Sequence, residues 1–222
     1  MSFLKKYLSY LSVINEKKYE SAYNGVLEIN WLNGKKVLDT ANTNYSYGNL
    51  GKVLNKALKH TSADFRNKQA EILILGLGGG DVIHQLRNTF ASEATITAVE
   101  IDPVMIEIAV NEFGMLPNSR FEIVKEDAEI FLKYATKTFD LIIVDLFHDV
   151  EIPEFVFKKS FISSIEKVLN KKGSAIFNTF IIEDAHEKRN EQFLKFLTTQ
   201  FSLQSFKNLY GHNHLIIAQK NL

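Results

Sequence analysis

A change of pattern at Glu71 constrains the fold of this chain more than any other feature. Beyond it, short apolar runs at Ile72 to Leu75, Thr95 to Val99, Phe121 to Val124, Leu141 to Val144 and Ala175 to Phe180 alternate with helical periodicity near residues 81–90, 103–113, 128–135 and 158–170. Strands that are apolar throughout are those buried on both faces, as when helices cover both sides of a parallel sheet. The pattern predicts a doubly wound α/β domain. Asp102 before Pro103 supplies an N-cap and a first-turn proline for one helix, and Gly114 a left-handed stop. After a helix around Glu187 to Thr199, Leu203 to Asn208 and His214 to Gln219 flank the turn Tyr210-Gly211-His212-Asn213. They predict two closing antiparallel strands, which bring the sheet to seven.

The segment before Glu71 reads differently. Phe3, Leu4, Tyr7, Leu8 and Leu11 recur at helical spacing, so a short amphipathic helix is expected to dock into a core. Val26 to Leu32 and Lys35 to Thr40 flank Asn33-Gly34, the dipeptide that most readily takes the positive φ angles of a tight hairpin. Leu50, Val53, Leu54 and Leu58 predict another helix, and Thr61 to Gln69 a polar connection. We therefore expect a small N-terminal lobe over residues 1–69, with a helix and β-hairpin, and a main domain over 70–222. A chain of 222 residues, 45% hydrophobic, can bury one substantial core with such a lobe attached.

Basic and acidic side chains balance at 26 each, so no net field draws the protein to nucleic acid or to an anionic membrane, and a small ligand is expected. The absence of cysteine excludes disulfides and thiolate catalysis and fits a reducing compartment, with the cytoplasm as the expected location. No stretch reads as a signal peptide or a membrane span. The six histidines show no metal-ligand spacing, and no metal is expected.

Gly76-Leu77-Gly78-Gly79-Gly80 follows an apolar strand and opens a helix, so a ligand can approach backbone N–H groups near a positive helix end. Glu100 ends the next strand, where a carboxylate can accept hydrogen bonds from both ribose hydroxyls. Asp127-Ala128 ends the third strand and Asp145 the fourth. Singly, Asp127 reads equally well as a helix N-cap and Asp145 as a loop cap. Together they put polar groups on four successive strand tips, the edge at which such sheets bind ligands.

These residues resemble the spermidine synthases and their relatives, a branch of the class I S-adenosylmethionine-dependent methyltransferase fold with its Rossmann-like, mostly parallel seven-stranded sheet. The resemblance runs from the hairpin to the C-terminus and is strongest from Ile72 to Asp145. Gly-Leu-Gly-Gly-Gly is similar to the family's glycine motif, Val99-Glu100-Ile101-Asp102-Pro103 to its ribose motif and Glu126-Asp127-Ala128 to its adenine motif. Phe139 to Asp145 is similar to the strand that delivers the catalytic Asp, and the hairpin ending Val37-Leu38-Asp39 to the family's β-lobe. The resemblance implies an S-adenosylmethionine or decarboxylated S-adenosylmethionine ligand held by Gly76, Gly78, Gly80, Asp81, Glu100, Ile101, Asp127 and Ala128. Asp145 would sit beside the sulfonium as the catalytic base. Tyr45, Tyr47, His148 and Asp149 would face a small-molecule acceptor. A homodimer, through the N-terminal helix and hairpin, is suggested by the resemblance alone.

Polyamine synthases carry Asp-x-x-Asp-Pro at the catalytic strand end, whereas Asp145 is followed by Leu146-Phe147-His148-Asp149. Gly79 stands where that family usually has the Asp that holds the donor ammonium, and Asp81 is the nearby substitute. Its Gln and Tyr-His-Glu are missing from the lobe, where Asn44, Tyr45 and Tyr47 occupy the corresponding stretch. Methyltransferases commonly place an acidic residue two positions before the first motif glycine, and here that residue is Ile74. The expected activity is transfer of an aminopropyl or methyl group, with a non-catalytic adenosyl-binding protein as the alternative. Dinucleotide-dependent hydride transfer ranks behind both, because Gly76-x-Gly78-x-x-Asp81 lacks the last small residue of that pattern.

Overall fold

The structure, a computed structural model, describes residues 2–40, 49–148 and 151–221. The chain opens with α1 (Ser2–Leu8), followed by β1 (Ile14–Ser21), β2 (Gly25–Leu32) and β3 (Lys35–Thr40), which pair antiparallel in the order β1-β2-β3. Asn33 and Gly34 take φ of 49° and 75° in the expected β2–β3 turn. Two expectations for this lobe need correction. The hairpin has a third strand, β1, and among the described side chains of α1 the expected docking residues Leu4, Tyr7 and Leu8 are 68%, 60% and 43% exposed. What anchors the segment is the turn after the helix. The buried Ser9 accepts the Asn33 N–H on its carbonyl and the Gly34 N–H on its hydroxyl.

All seven expected strands of the main sheet form: β4 (Glu71–Leu75), β5 (Thr95–Glu100), β6 (Phe121–Lys125), β7 (Phe139–Val144), β8 (Leu169–Phe180), β9 (Phe201–Leu209) and β10 (Asn213–Lys220), following α2 (Asn49–His60). Their order is β6-β5-β4-β7-β8-β10-β9, parallel from β6 through β8, with β10 antiparallel to both β8 and β9. This is the class I methyltransferase-like α/β fold.

The period of two along β4 explains why the run is apolar throughout. Ile72 and Ile74 join a cluster with Leu86 and with Val53, Leu54 and Leu58 of α2, while Leu73 and Leu75 join the opposite cluster with Leu132, Ile162 and Phe193. Each fully buried Ile or Leu contributes roughly 1.5–3 kcal/mol. By packing, α2 belongs with the sheet. The strands of the lobe pack instead on α4 (Pro103–Phe113), whose Met105 and Ile108 cluster with Leu27, Ile29 and Leu38.

Candidate active site

The chain leaves β4 toward β5 on one side of the sheet and later returns to β7 on the other, so the strand-tip loops part above β4. A crevice of about 540 Å³ opens there. It is lined by Gly76 to Gly79, Asp81, Glu100, Ile101, Asp127, Ala128 and Asp145, together with Leu146, Phe147 and His148. The carboxylates that the sequence places on successive strand tips thus converge on one cavity.

The glycine turn is shaped by close approach. Gly76 has φ 93°, and a Cβ there would collide with the main-chain carbonyl of Asp145. Its N–H donates to Val99 O at 2.9 Å, and Asp145 N–H donates to Leu75 O at 2.9 Å, which fastens the turn to both neighbouring strand ends. Gly80, expected to touch the ligand, does not line the crevice. It caps α3 (Asp81–His84) in the left-handed region at φ 84°, with the Met115 thioether where its Cβ would be. Its role is to close the turn against the core. The helix expected over 81–90 is α3 followed by a π-helical turn, Gln85–Thr89.

Glu100 accepts the Leu77 N–H on Oε2 and the Asp102 N–H on Oε1, both at 3.0 Å. Burial nevertheless holds its carboxyl above the usual range. An ionised carboxylate has about four acceptor positions, so acceptor capacity remains for a ligand hydroxyl. Asp127 caps α5 (Ala128–Tyr134) through Oδ1 to Ile130 N–H at 3.0 Å, so the capping role and the lining role coexist. Asp102 caps α4 through Val104 N–H at 2.8 Å, and Gly114 ends that helix at φ 71°.

Asp145 lies at the centre. Burial pushes its carboxyl up to about 6, opposed by Asn178, whose Nδ2 donates to Oδ1 at 2.9 Å. Asn178 accepts in turn from Asn213 Nδ2 at 3.1 Å. Asp81 is pushed up to about 7, chiefly by burial and then by the charge of Asp145, with Lys35 pulling the other way. Two carboxylates of raised pKa thus share one crevice, an arrangement that favours a cationic ligand.

Tyr45, Tyr47 and Asp149 lie outside the described residues. His148 is exposed and lines the crevice. The residues that sequence reasoning missed are Tyr23 and Asn24, from the β1–β2 turn, and Asn178, Tyr210, His212 and Asn213. Asn24 Nδ2 donates to the buried Asp102 at 2.7 Å and Ser21 Oγ donates to the same oxygen, tying the lobe's turn to the start of α4. The only sequence signal for Asn178 is an amide inside an apolar strand. Among the described residues no group of His, Asp and Glu side chains clusters as metal ligands.

Residues 52–204 match the family model of the spermine/spermidine synthase domain. A polyamine aminopropyltransferase of Vibrio vulnificus is 34% identical over 119 residues, which is 52% of this chain and 40% of that protein. A Drosophila melanogaster protein described as an eEF1A lysine and N-terminal methyltransferase homolog is 28% identical over 60% of this chain and 20% of its own length. The chain therefore spans less than half of either relative. Among solved structures, the spermidine synthase of Thermotoga maritima superposes with a TM-score of 0.72 at 16% identity, over 94% of this chain and 73% of that one.

Proposed function

The chain belongs to the spermine/spermidine synthase family, and from that premise we propose that it transfers an aminopropyl group from decarboxylated S-adenosylmethionine to a small amine. The observation that carries this reading is the pair Asp81 and Asp145 in one crevice, both raised toward neutrality by burial. A decarboxylated donor brings an ammonium and a sulfonium, two positive charges for two carboxylates. The intact amino acid would add a negative carboxylate, and Lys35 offsets only part of the local charge at Asp81.

The residues fit an adenosyl ligand. The glycine turn exposes main chain where a side chain would clash, Glu100 can take the ribose hydroxyls, and Asp127 with Ala128 and Ile101 lines the adenine side. When bound, the donor supplies an electrophilic carbon activated by the adjacent S⁺. Asp145 orients the acceptor amine and takes its proton, so the nitrogen lone pair can form the new C–N bond while the C–S electrons return to sulfur. Its negative charge also stabilises the cationic centre. Asn178, held by Asn213, fixes the carboxylate's rotation through Oδ1.

Methyl transfer is the second reading, favoured by the likeness to the Drosophila methyltransferase homolog. The non-catalytic alternative gains no support, since both relatives are described as transferases or transferase homologues. Calorimetric titration with decarboxylated S-adenosylmethionine, the intact form, methylthioadenosine and NAD tests the proposal. Tightest binding of the decarboxylated donor is expected. Preference for the intact form selects methyl transfer, and binding of NAD alone removes both readings.

A further inference from the structure

Resting on that reading, we infer that Asn213 is a positioning residue for the transfer: it holds the Asn178 amide so that Asp145 keeps Oδ1 as an acceptor and takes the amine proton on Oδ2. The three residues form a row across the sheet at its crevice end, and all three line the cavity. Val144 of β7 pairs with Phe177 of β8, so the next residues, Asp145 and Asn178, stand side by side on adjacent strands. Asn178 pairs with Leu215 of β10, and Asn213 with Phe180 of β8. The two asparagines are therefore diagonal neighbours on one face of an antiparallel pair. The turn before β10 fixes where Asn213 starts: the His212 carbonyl accepts the Ile181 N–H at 2.8 Å, and Gly211 takes φ 117°.

An amide has an N–H end and a carbonyl end, and Asn178, 3% exposed, must satisfy both inside the protein. Asn213 Nδ2 donates to the carbonyl end at 3.1 Å, which turns the N–H end to Asp145 Oδ1 at 2.9 Å. Such a bond is stronger to an ionised carboxylate than to a neutral acid. A proton on Oδ1 would weaken it most, and a proton on Oδ2 costs it less. In the transfer, one N–H proton of the acceptor therefore passes to Oδ2, the C–N bond forms, the C–S bond breaks and the neutral thioether leaves. Without Asn213 the carbonyl end of Asn178 loses its donor, and the amide is satisfied by turning that end to a protonated Oδ1. The neutral form of Asp145 then gains, and its carboxyl titrates higher. Asp81, Glu100, Asp127, His148 and His212 share the crevice and titrate in the same field, but they are present in every variant below, so differences between variants cancel them.

The test is an NMR titration of the labelled Asp145 carboxyl, its signal assigned from Asp145→Asn, in wild type, Asn213→Ala, Asn178→Ala and the double variant. Beside it run calorimetric donor binding and kcat against pH, with saturating decarboxylated donor and the best acceptor among n-butylamine, 1,4-diaminobutane and a lysine-containing peptide. Asn213→Ala should raise the titration by about half a pH unit or more, and Asn178→Ala by about one, since hydrogen bonds to charged groups are the stronger ones. The double variant should match Asn178→Ala, because Asn213 acts through Asn178. The acid limb of kcat should move the same way, with kcat recovering at high pH, where Asp145 is ionised in every variant. The near-isosteric Asn178→Leu replaces Asn178→Ala in the cycle if the cavity left by alanine unfolds the protein. A titration not raised by Asn213→Ala, or a double variant in which the two shifts add, overturns the inference and leaves the transferase reading standing. A wild-type protein that binds no donor and forms no product from any acceptor removes the transferase reading, and the positioning role with it, whatever the carboxyl titration shows.

Discussion

Asp145 and Glu100 both end strands and both line the crevice, but their partners assign them different work. The Asp145 carboxylate takes a side-chain amide, Asn178 Nδ2 at 2.9 Å, and is held near 6 by burial. A group poised there can take a proton at neutral pH. Glu100 is locked by two backbone N–H groups, a geometry suited to holding hydroxyls in place. The two substitutions should therefore separate. Asp145→Asn keeps an oxygen for Asn178 but loses the base and one of the two charges facing the donor, so turnover should fall on the order of 10²–10⁴-fold, by more than donor affinity weakens. Glu100→Ala should cost roughly 1–3 kcal/mol of donor affinity, read by calorimetry. Full activity in the Asp145→Asn enzyme would place the base elsewhere, and unchanged affinity in the Glu100→Ala protein would mean that the ribose is held by other groups.

At the scale of elements, what is legible in the sequence follows from burial. Strands β4, β5, β7 and β8 announce themselves because both faces are covered, and every side chain from Ile72 to Leu75 is at most 1% exposed. β1 does not, because it is an edge strand reading Ile-Asn-Glu-Lys-Lys-Tyr-Glu-Ser, with only Tyr19 and Ser21 buried and a register shift between Asn15 and Lys17. Charged and irregular edges resist unwanted pairing, and they erase the alternation that identifies a strand. The turn after β1 is invisible for the same reason, although it carries Tyr23 and Asn24 into the crevice. Composition also says nothing about which glycine of a run faces the ligand, so Gly80 reads as a contact although it closes against Met115. The link between the lobe and the sheet domain is testable at Asp102. Asp102→Ala removes the α4 cap and the acceptor for Ser21 and Asn24, all buried or nearly so, and should lower stability by about 1–3 kcal/mol. Urea unfolding should show a lower midpoint and calorimetry weaker donor binding. An unmoved midpoint would show that the lobe does not depend on this carboxylate.

For the whole molecule, the paired carboxylates make stability and ligand binding oppose one another in pH. Asp81 and Asp145 have an ordinary value of 3.8 and are raised to about 7 and about 6 in the folded protein. Between roughly pH 4 and 7 the native state therefore binds more protons than the unfolded chain, and stability falls as pH rises through that window. His214 acts with the opposite sign. It is fully buried between Ser205 and Asn190 and lowered to about 4, so it destabilises the fold as pH falls below its ordinary value of 6.5. A direct pH–stability curve would mix the two effects, but the difference between wild type and Asp81→Asn cancels the histidine. The variant's melting temperature should equal that of wild type near pH 4 and rise above it to a plateau beyond pH 7, where the gain is about 1–3 kcal/mol. Binding of the dicationic donor to wild type should tighten over the same range, because the carboxylates whose ionisation weakens the empty protein are those that the ligand neutralises. A melting difference that stays constant from pH 4 to 8 would mean that Asp81 titrates in the folded protein as it does in the unfolded chain, and the charge-matching argument for the donor would go with it.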